Sequence, residues 1–419
     1  MKILPGDCMG KKKIMIVYLL IIVNILTACW SQKELTDIAF VMGIGIDHDE
    51  NGKYAVSFQI INPRNVVGGQ GGGGGGGVQG LPITVYEGRG ETVYEAVRET
   101  SQHVSRILYF SHANLVVLGE ELAKEDIIDA FDSLERATQF RTTARVVVAK
   151  GAKASDLLQI LAPLDQISVN KINKTVQFSE RIWGENIEVS VAEVIDDIYG
   201  EGSQPVISGF LIKGDAEKGK SEEGLKTSKP AAPISADGIA IFRDGKLETW
   251  AEKETARGIV WLRNKVRETV VNVDWEDSKE AVAFHVIRSK TKIAPKLKNG
   301  KPELDIHIDT EGTIGETHVP IDVMDKKELK KLEKIIADEI KSEIEKTVAL
   351  IQKEKTDVIG FGRKLSVEYP EYWKKHKNNW EEEIFPEADV TIHVHAFIRW
   401  TESRLKPFFY ELKKHEGVE

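Results

Sequence analysis

The chain has 419 residues, of which 41% are hydrophobic and 29% are charged, so it is long enough for two or three globular domains with sizeable cores. Its formal net charge of -9 argues against a nucleic-acid-binding protein, because such proteins normally carry a basic excess or a basic face. The one concentrated basic run, Lys11 to Lys13, lies near the N-terminus.

Residues 1–28 have the layout of a secretory signal peptide. Three lysines precede the apolar stretch "IMIVYLLIIVNILTA", and Cys29 follows it. As a helix, these fifteen residues reach about 22 Å, short of the roughly 30 Å hydrocarbon core, and Asn24 interrupts them. We therefore expect a cleaved signal rather than a permanent spanning helix. Met9 is an alternative start, because the residues before it add nothing to the basic region.

The end of this stretch resembles a bacterial lipobox. Leu26, Thr27 and Ala28 supply a branched apolar residue and two small residues directly before the cysteine. The pattern predicts cleavage before Cys29 and acylation of its thiol, and two or three acyl chains hold a protein on a membrane where one chain would exchange. Because cleavage also removes Cys8, the mature chain is expected to have neither a disulfide nor a catalytic thiol.

The first folded segment is predicted to be a β-hairpin, in which "AFVMGIGID" and "KYAVSFQIIN" flank a turn. Asp47, Asp49, Asn51 and Gly52 match the start of an EF-hand calcium loop. The twelfth position of that loop requires a bidentate glutamate, but it is Phe58, and no helix is predicted after it. An Asn-Gly hairpin turn is the better interpretation.

An N-terminal mixed α/β domain is predicted over residues 29–165. The glycine-rich tract 68–80 is expected to be a flexible loop, since it cannot bury side chains and lacks the Gly-Lys-Ser/Thr ending of a phosphate-binding loop. Strand and helix patterns then alternate. They are "ITVYEG", "ETVYEAVRETSQHVSR", "ANLVVLG", "EELAKEDIIDAFDSLERA", "TTARVVVAKG" and "ASDLLQIL".

A middle α/β domain is predicted over residues 166–264. Two helical stretches, 171–181 and 191–198, precede the strand "PVISGFLIK". Residues 213–233 are rich in Lys, Glu, Gly and Pro and are expected to be a flexible, solvated insertion. The segment "GIAIFRDGKLETW" then predicts a hairpin, and "AEKETARGIVWLRNKV" predicts a helix.

The C-terminal domain, residues 265–405, is predicted to be a largely antiparallel sheet covered by one long helix, followed by a tail at 406–419. Three strand-like runs and the final strand "DVTIHVHAFIRW" would form the sheet. A helix over about 326–353 is predicted from one apolar stripe. The stripe consists of Leu329, Leu332, Ile335, Ile336, Ile340, Ile344, Val348 and Ile351. The fold class is therefore α+β, with three small mixed domains after the signal peptide.

Metal-ligating residues recur in the C-terminal strands. His393 and His395 share a strand face, and His307 lies between Asp305 and Asp309 on another strand. A zinc-like cluster would form if these strands were neighbours. Alternating polar residues on an exposed strand face explain the same pattern, so no metal site is predicted.

Catalytic motifs are missing from the sequence. It contains no G-x-S-x-G, no H-E-x-x-H, no C-x-x-C and no G-x-G-x-x-G between a strand and a helix. The many carboxylates offer candidate pairs everywhere and so identify none. We predict no catalytic residue and no cofactor.

Several segments, in order along the chain, resemble the C-subunit lipoproteins of spore germinant receptors from endospore-forming bacteria. They are "CWSQKELTDIAFVMGIGID", "SRILYFSHANLVVLGEELA", "GIAIFRDGKLETW", "GIVWL" and "DVIGFGRKLSVEYPEYWKKHKNNWEEEIFPEADVTIHVHAFI". The last segment is the most distinctive. Its matching residues are Asp357, Gly360, Phe361, Gly362, Pro370, Trp373, Trp380 and Phe385.

The resemblance implies a non-enzymatic subunit, lipid-anchored on the outer face of the spore inner membrane, that senses nutrients beside two integral-membrane partners of A and B type. It implies three mixed α/β domains and no direct small-molecule ligand. Gly360, Gly362 and Pro370 are interpreted as turn residues. Trp373 and Trp380 suit the packing face of a short helix, with partner contact as the alternative.

Two other classes of protein compete with this interpretation. The substrate-binding lipoprotein of an importer would have two lobes around a cleft, each with a doubly wound sheet, whereas the last third of this chain is predicted to be largely antiparallel. A cell-wall hydrolase would need a carboxylate or metal site that the sequence does not display. The germinant-receptor subunit is therefore the leading hypothesis.

Overall fold

The structure is a computed structural model that describes residues 35–63, 80–322 and 325–399, together with Met15, Ile16 and Tyr18. These residues form a mixed α/β arrangement of two sheets and their covering helices, which confirms the predicted fold class. The lipobox, Cys29, the glycine tract up to residue 79 and the tail at 406–419 lie outside the described residues.

The β-strands of the described residues are, in chain order, β1 (Ile38–His48), β2 (Tyr54–Ile61), β3 (Ile83–Gly90), β4 (Ile107–Tyr109), β5 (Leu115–Gly119), β6 (Arg145–Ala149), β7 (Val206–Ile212), β8 (Ile234–Arg243), β9 (Lys246–Ala251), β10 (Thr269–Trp275), β11 (Ser278–Lys298), β12 (Lys301–Thr317) and β13 (Asp389–Ile398).

The α-helices of the same residues are α1 (Val93–Glu99), α2 (Glu120–Glu125), α3 (Ile128–Arg136), α4 (Ala154–Gln159), α5 (Ser168–Ile182), α6 (Val191–Tyr199), α7 (Ala216–Gly219), α8 (Glu222–Leu225), α9 (Glu254–Leu262), α10 (Lys326–Lys353), α11 (Phe361–Glu368) and α12 (Pro370–His376). None of these helices is both long enough and apolar enough to cross a bilayer.

A nine-stranded mixed sheet takes up the described strands β1 to β9. Its order is β3-β2-β1-β5-β6-β7-β8-β9, and β4 also pairs with β1. Neighbours from β1 to β7 along this order are parallel, and antiparallel hairpins close both sides. The run Leu115–Gly119 is buried on both faces, which is typical of a parallel strand between helix layers. Val116 and Leu118 pack in one core, whereas Leu115 and Val117 pack in the other with α4 and α5.

The predicted boundary near residue 165 falls in the connection between β6 and β7, which are adjacent strands of this sheet. The residues on both sides of the boundary thus share one sheet. The three-domain division itself stays a prediction.

The EF-hand-like motif forms a β-hairpin turn, as predicted. The Asp49 carboxylate accepts hydrogen bonds from the backbone N–H groups of Asn51 and Lys53, at 2.8 and 3.0 Å. Asp47 points elsewhere, and its two carboxylate oxygens accept from Ala154 N at 2.8 Å and Ser155 N at 3.1 Å, at the start of α4. Both carboxylates therefore bind backbone amides.

We predict that replacing Asp47 with asparagine makes stability less dependent on pH. Asp47 is 4% exposed, and burial raises the pKa of its carboxyl to about 6, although its two backbone donors oppose the shift. Its contribution is fully present below the unfolded pKa of 3.8 and is lost as the pH rises through 6. Between pH 4 and pH 7 the wild type should lose about 2 kcal/mol more unfolding free energy than Asp47→Asn, measured by urea denaturation. Equal losses would contradict this assignment.

The second sheet has the order β10-β11-β12-β13. The first two pairings are antiparallel, and β13 runs parallel to β12. Helix α10 covers this sheet with the predicted stripe, of which Leu329 and Ile335 are half-buried and the rest buried. The sheet and its long helix confirm the prediction for the C-terminal region, apart from the parallel last strand.

Two segments differ from their predicted secondary structure. The helix predicted over 120–137 is divided at Asp126 and Ile127 into α2 and α3. The segment 213–233, predicted to be a solvated loop, contains α7 and α8, and buried Ala232 packs in the core beside α4. The segment is therefore partly helical, and its flexibility as an insertion stays a prediction.

Candidate functional site

The segment that carries the most distinctive sequence motif folds into a junction between the two sheets. We call the residues 201–204 and 357–385 the junction. Helices α11 and α12 and a π-helical turn, Trp380–Ile384, follow one another in it. Helix α11 packs against β11 of the second sheet, and Gln204 N donates to Asp357 O at 2.9 Å just before β7 of the first sheet. The motif thus lies where the two halves of the chain meet.

Asp357 organises the junction from a fully buried position. Its carboxylate accepts from Phe361 N at 3.0 Å, Gly362 N at 2.7 Å and Trp380 Nε1 at 3.0 Å. Burial raises the pKa of Asp357, and these three donors oppose the shift. One side chain therefore fixes both the start of α11 and the indole of Trp380.

The junction aromatics pack against one another. The ring centroid of Trp380 lies 5.2 Å from that of Phe361, 5.4 Å from that of Trp373 and 6.0 Å from that of Phe385. Trp373 is 5% exposed and Trp380 is 1% exposed. The packing interpretation of the two tryptophans is confirmed, although they lie on consecutive helical turns rather than on one helix.

The motif glycines have different roles. Gly360 has a φ of 66° and is the predicted turn residue before α11. Gly362 lies inside α11, where a Cβ would come within 2.7 Å of the Trp373 and Trp380 rings and 2.8 Å of Gly202 Cα. Its interpretation as a turn residue is wrong, because it permits close approach. Pro370 is the first residue of α12 rather than a turn residue. At this position its missing N–H costs no helical hydrogen bond.

Two arginines connect the junction with helix α6 and with the end of α9. Arg363 Nη1 lies 2.7 Å from Asp196 Oδ2, and Arg263 Nη1 lies 3.0 Å from Asp197 Oδ2. Arg263 also donates to Val358 O at 2.7 Å. These contacts cross from α6 and the end of α9 to the C-terminal motif, so they couple segments that are far apart in sequence.

Glu381 is a half-buried acid in the π-helical turn of the junction. Gln204 Nε2 donates to both of its carboxylate oxygens at 3.0 Å. Burial raises the pKa of Glu381 to about 7, with smaller contributions from Asp357 and Asp244. The junction carboxylates are thus held by backbone, amide and indole donors.

A charged cleft of about 400 Å³ lies beside β6. Arg145 Nε lies 2.6 Å from Glu188 Oε1, and Lys265 Nζ lies 3.5 Å from Glu193 Oε1. Burial raises the pKa of Glu180, which accepts from Glu188 N at 2.6 Å. The two cations of the cleft are thus paired with two of its three carboxylates, and the arrangement identifies no ligand.

The structure brings together only some of the candidate metal ligands of the C-terminal strands. In the parallel pairing of β12 and β13, His307 lies opposite His393 and Asp309 lies opposite His395. Ligand atoms of Asp305, His307 and His393 lie within 4.8 Å of one another.

The predicted lipid-attachment residue Cys29 and its lipobox, Leu26, Thr27 and Ala28, fall outside the described residues. Their role in membrane attachment therefore stays a prediction.

Two family descriptions match most of the chain. Residues 31–210 match the spore germination protein N-terminal domain, and residues 237–402 match the C-terminal region described as spore germination B3/GerAC like. The chain is 40% identical to spore germination protein KC of Bacillus subtilis (strain 168), over 97% of this chain and 100% of that protein. It is 24% identical to spore germination protein B3 of the same organism, over 87% of this chain and 91% of the relative.

A solved structure has the same fold. The crystal structure of the GerBC protein superposes with a TM-score of 0.51, covering 85% of this chain and 96% of that chain at 20% sequence identity. At this identity the likeness supports the fold alone. Evidence on function comes from the full-length relatives and from the residues of this chain.

Proposed function

Because the chain belongs to the spore germination B3/GerAC-like family, we propose that it is a non-enzymatic, lipid-anchored subunit of a nutrient germinant receptor. The observation that carries the proposal is the end-to-end likeness to a spore germination protein, which leaves neither half of this chain without a counterpart. The junction supports it, because the most distinctive motif of the family joins the two sheets.

The proposed location is the outer face of the spore inner membrane, with acylated Cys29 as the anchor. The support is the order of basic run, apolar stretch and lipobox at the N-terminus. The proposed partners are two integral-membrane subunits of A and B type, and nutrient recognition is assigned to them.

The proposal of a non-enzymatic role rests on how the buried polar groups are used. Asp357 accepts three hydrogen bonds, and Arg263 and Arg363 are occupied by carboxylates and a backbone carbonyl. These groups are committed to joining the two halves, which is the requirement of an assembly subunit.

The importer hypothesis finds no support in the fold. A two-lobed binding protein would have a doubly wound sheet in each lobe. The described residues instead form one mixed sheet with antiparallel hairpins on both sides and a second sheet of long antiparallel strands. We therefore keep the receptor subunit as the single proposed function.

Cys29→Ala is the experiment that tests the anchor. We expect the variant to incorporate no labelled palmitate, to leave the membrane fraction and to give spores that respond poorly to nutrients. Cys8→Ala is the matched control, because Cys8 precedes the basic run and should be removed with the signal. Palmitate labelling of Cys29→Ala at the level of the wild type, or normal germination of its spores, would refute the proposed anchor.

A further inference from the structure

The outer face of the second sheet brings together three possible metal ligands that the proposed function does not use. His307 on β12 and His393 on β13 are directly opposite in the parallel register, and Asp305 lies two residues earlier on the same face. The Nε2 atoms of His307 and His393 lie 3.1 and 3.6 Å from the same oxygen, Asp305 Oδ1. The two imidazole rings stack with their centroids 4.7 Å apart.

Asp305 is the most informative member of the trio. Its side chain is 8% exposed, and its Oδ1 atom is buried without a hydrogen bond of normal geometry. The other oxygen, Oδ2, lies 2.5 Å from the Lys296 ammonium. A buried carboxylate oxygen that aims at two imidazole nitrogens is costly unless a cation or a proton satisfies it.

The two oxygen-to-nitrogen distances in this trio suit a small divalent metal. Zinc binds imidazole nitrogen and carboxylate oxygen at about 2.0–2.2 Å, so two ligand atoms of a tetrahedral site lie about 3.3 Å apart. The observed oxygen-to-nitrogen distances of 3.1 and 3.6 Å lie on either side of that value. Two imidazoles and one carboxylate are also a common donor set for zinc with an open fourth position.

The exposure of the three side chains determines which way the open fourth position would face. The side chains of His307 and His393 are 45% and 48% exposed, whereas Asp305 lies beneath them. Lys296 contacts only the oxygen that the metal does not need, and fixes the carboxylate in place as an outer partner. A bound ion would thus be held against the sheet, with its open position directed toward solvent.

We propose that Asp305, His307 and His393 form a binding site for a divalent transition-metal ion of the zinc class on the exposed face of the second sheet. His395 lies on the same strand and face as His393 but is outside the trio, because it is opposite Asp309, two residues further along the register. The site is independent of the lipid anchor and of the receptor proposal.

The test uses the full chain in detergent, freed of metal by chelation. Zn²⁺ alone is titrated calorimetrically, and Co²⁺ alone is followed by its visible absorption, which reports direct ligation and coordination number. The wild type should bind one equivalent of each ion. His393→Ala and His307→Ala should weaken binding at least tenfold and remove the cobalt bands of this site, whereas His395→Ala should keep both.

A thermal unfolding measurement separates lost ligation from lost folding. Because both imidazoles are half-exposed, we expect metal-free His393→Ala to unfold at the wild-type temperature. Zn²⁺ should raise the unfolding temperature of the wild type and of His395→Ala, but not that of His393→Ala. His393→Gln, which keeps a polar side chain, should behave like His393→Ala. Equal zinc binding by all variants, or no binding by the wild type, would overturn the proposal.

Discussion

Replacing Arg257 with alanine is expected to lower the free energy of unfolding by about 3–5 kcal/mol, since it leaves a buried charge without its partner. Arg257 on α9 binds both carboxylate oxygens of Glu343 on α10, with Nε to Oε2 at 3.0 Å, and also donates to Val270 O at 3.3 Å. The Glu343 side chain is 1% exposed. Burial already raises the pKa of Glu343, so without Arg257 that carboxyl must be protonated or remain a desolvated anion.

Two controls distinguish the buried charge from simple truncation. The double variant Arg257→Met with Glu343→Leu should be more stable than either single variant, because it removes both charges from the core. Arg288→Ala breaks a similar pair with Glu311, but the Arg288 side chain is 70% exposed, so its cost should stay below about 1 kcal/mol. Urea denaturation measures Arg257→Ala, the double variant, its two single variants and Arg288→Ala, and an Arg257→Ala cost similar to that of Arg288→Ala would contradict the argument.

The second large effect is expected at Trp380. Trp380→Ala should lower the free energy of unfolding by about 3–5 kcal/mol, the usual cost of emptying an aromatic site in a core. The variant removes the contacts with Phe361, Trp373 and Phe385 and leaves Asp357 with one donor fewer. Because these residues join the two sheets, we expect the described part of the chain to unfold as a unit at a lower urea concentration.

Trp380→Phe and Val367→Ala give the scale for that result. The phenylalanine keeps most of the packing and loses the hydrogen bond to Asp357. The free energy of unfolding of Trp380→Phe should therefore lie between that of the wild type and that of Trp380→Ala. Val367 lies on neighbouring α11 but is 81% exposed, and its replacement should change stability by less than about 0.5 kcal/mol. Similar costs for Trp380→Ala and Val367→Ala would show that the junction does not stabilise the fold.

The sequence predicts best those elements whose evidence is local. The apolar stripe of α10 predicts a helix over about 326–353, and the helix has those bounds, with Asp325 capping its start by accepting a hydrogen bond from Lys327 N. The hairpins β1–β2 and β8–β9 are likewise predicted from alternation and turn residues. At the second turn, Asp244 and Gly245 have φ values of 49° and 82°, the left-handed values that a two-residue hairpin loop requires.

The sequence does not predict which distant elements meet. Alternation in β13 identifies a strand but not its neighbour or its direction, so the parallel pairing with β12, and with it the His307–His393 contact, follows only from the fold. Arg257 and Glu343 are 86 residues apart, and neither has a local pattern that marks it as buried. The sequence predicts a turn at Gly362 rather than close helix packing, because glycine is typical of both.

The proposed role as a receptor subunit is tested most directly by isolating the affinity-tagged full chain from detergent-solubilised spore inner membranes and identifying what accompanies it. Our account predicts two multi-spanning membrane proteins, recovered with the wild type and with the Cys8→Ala control. Recovery of the folded chain alone, or together with a permease and an ATP-hydrolysing subunit of an importer, would contradict it.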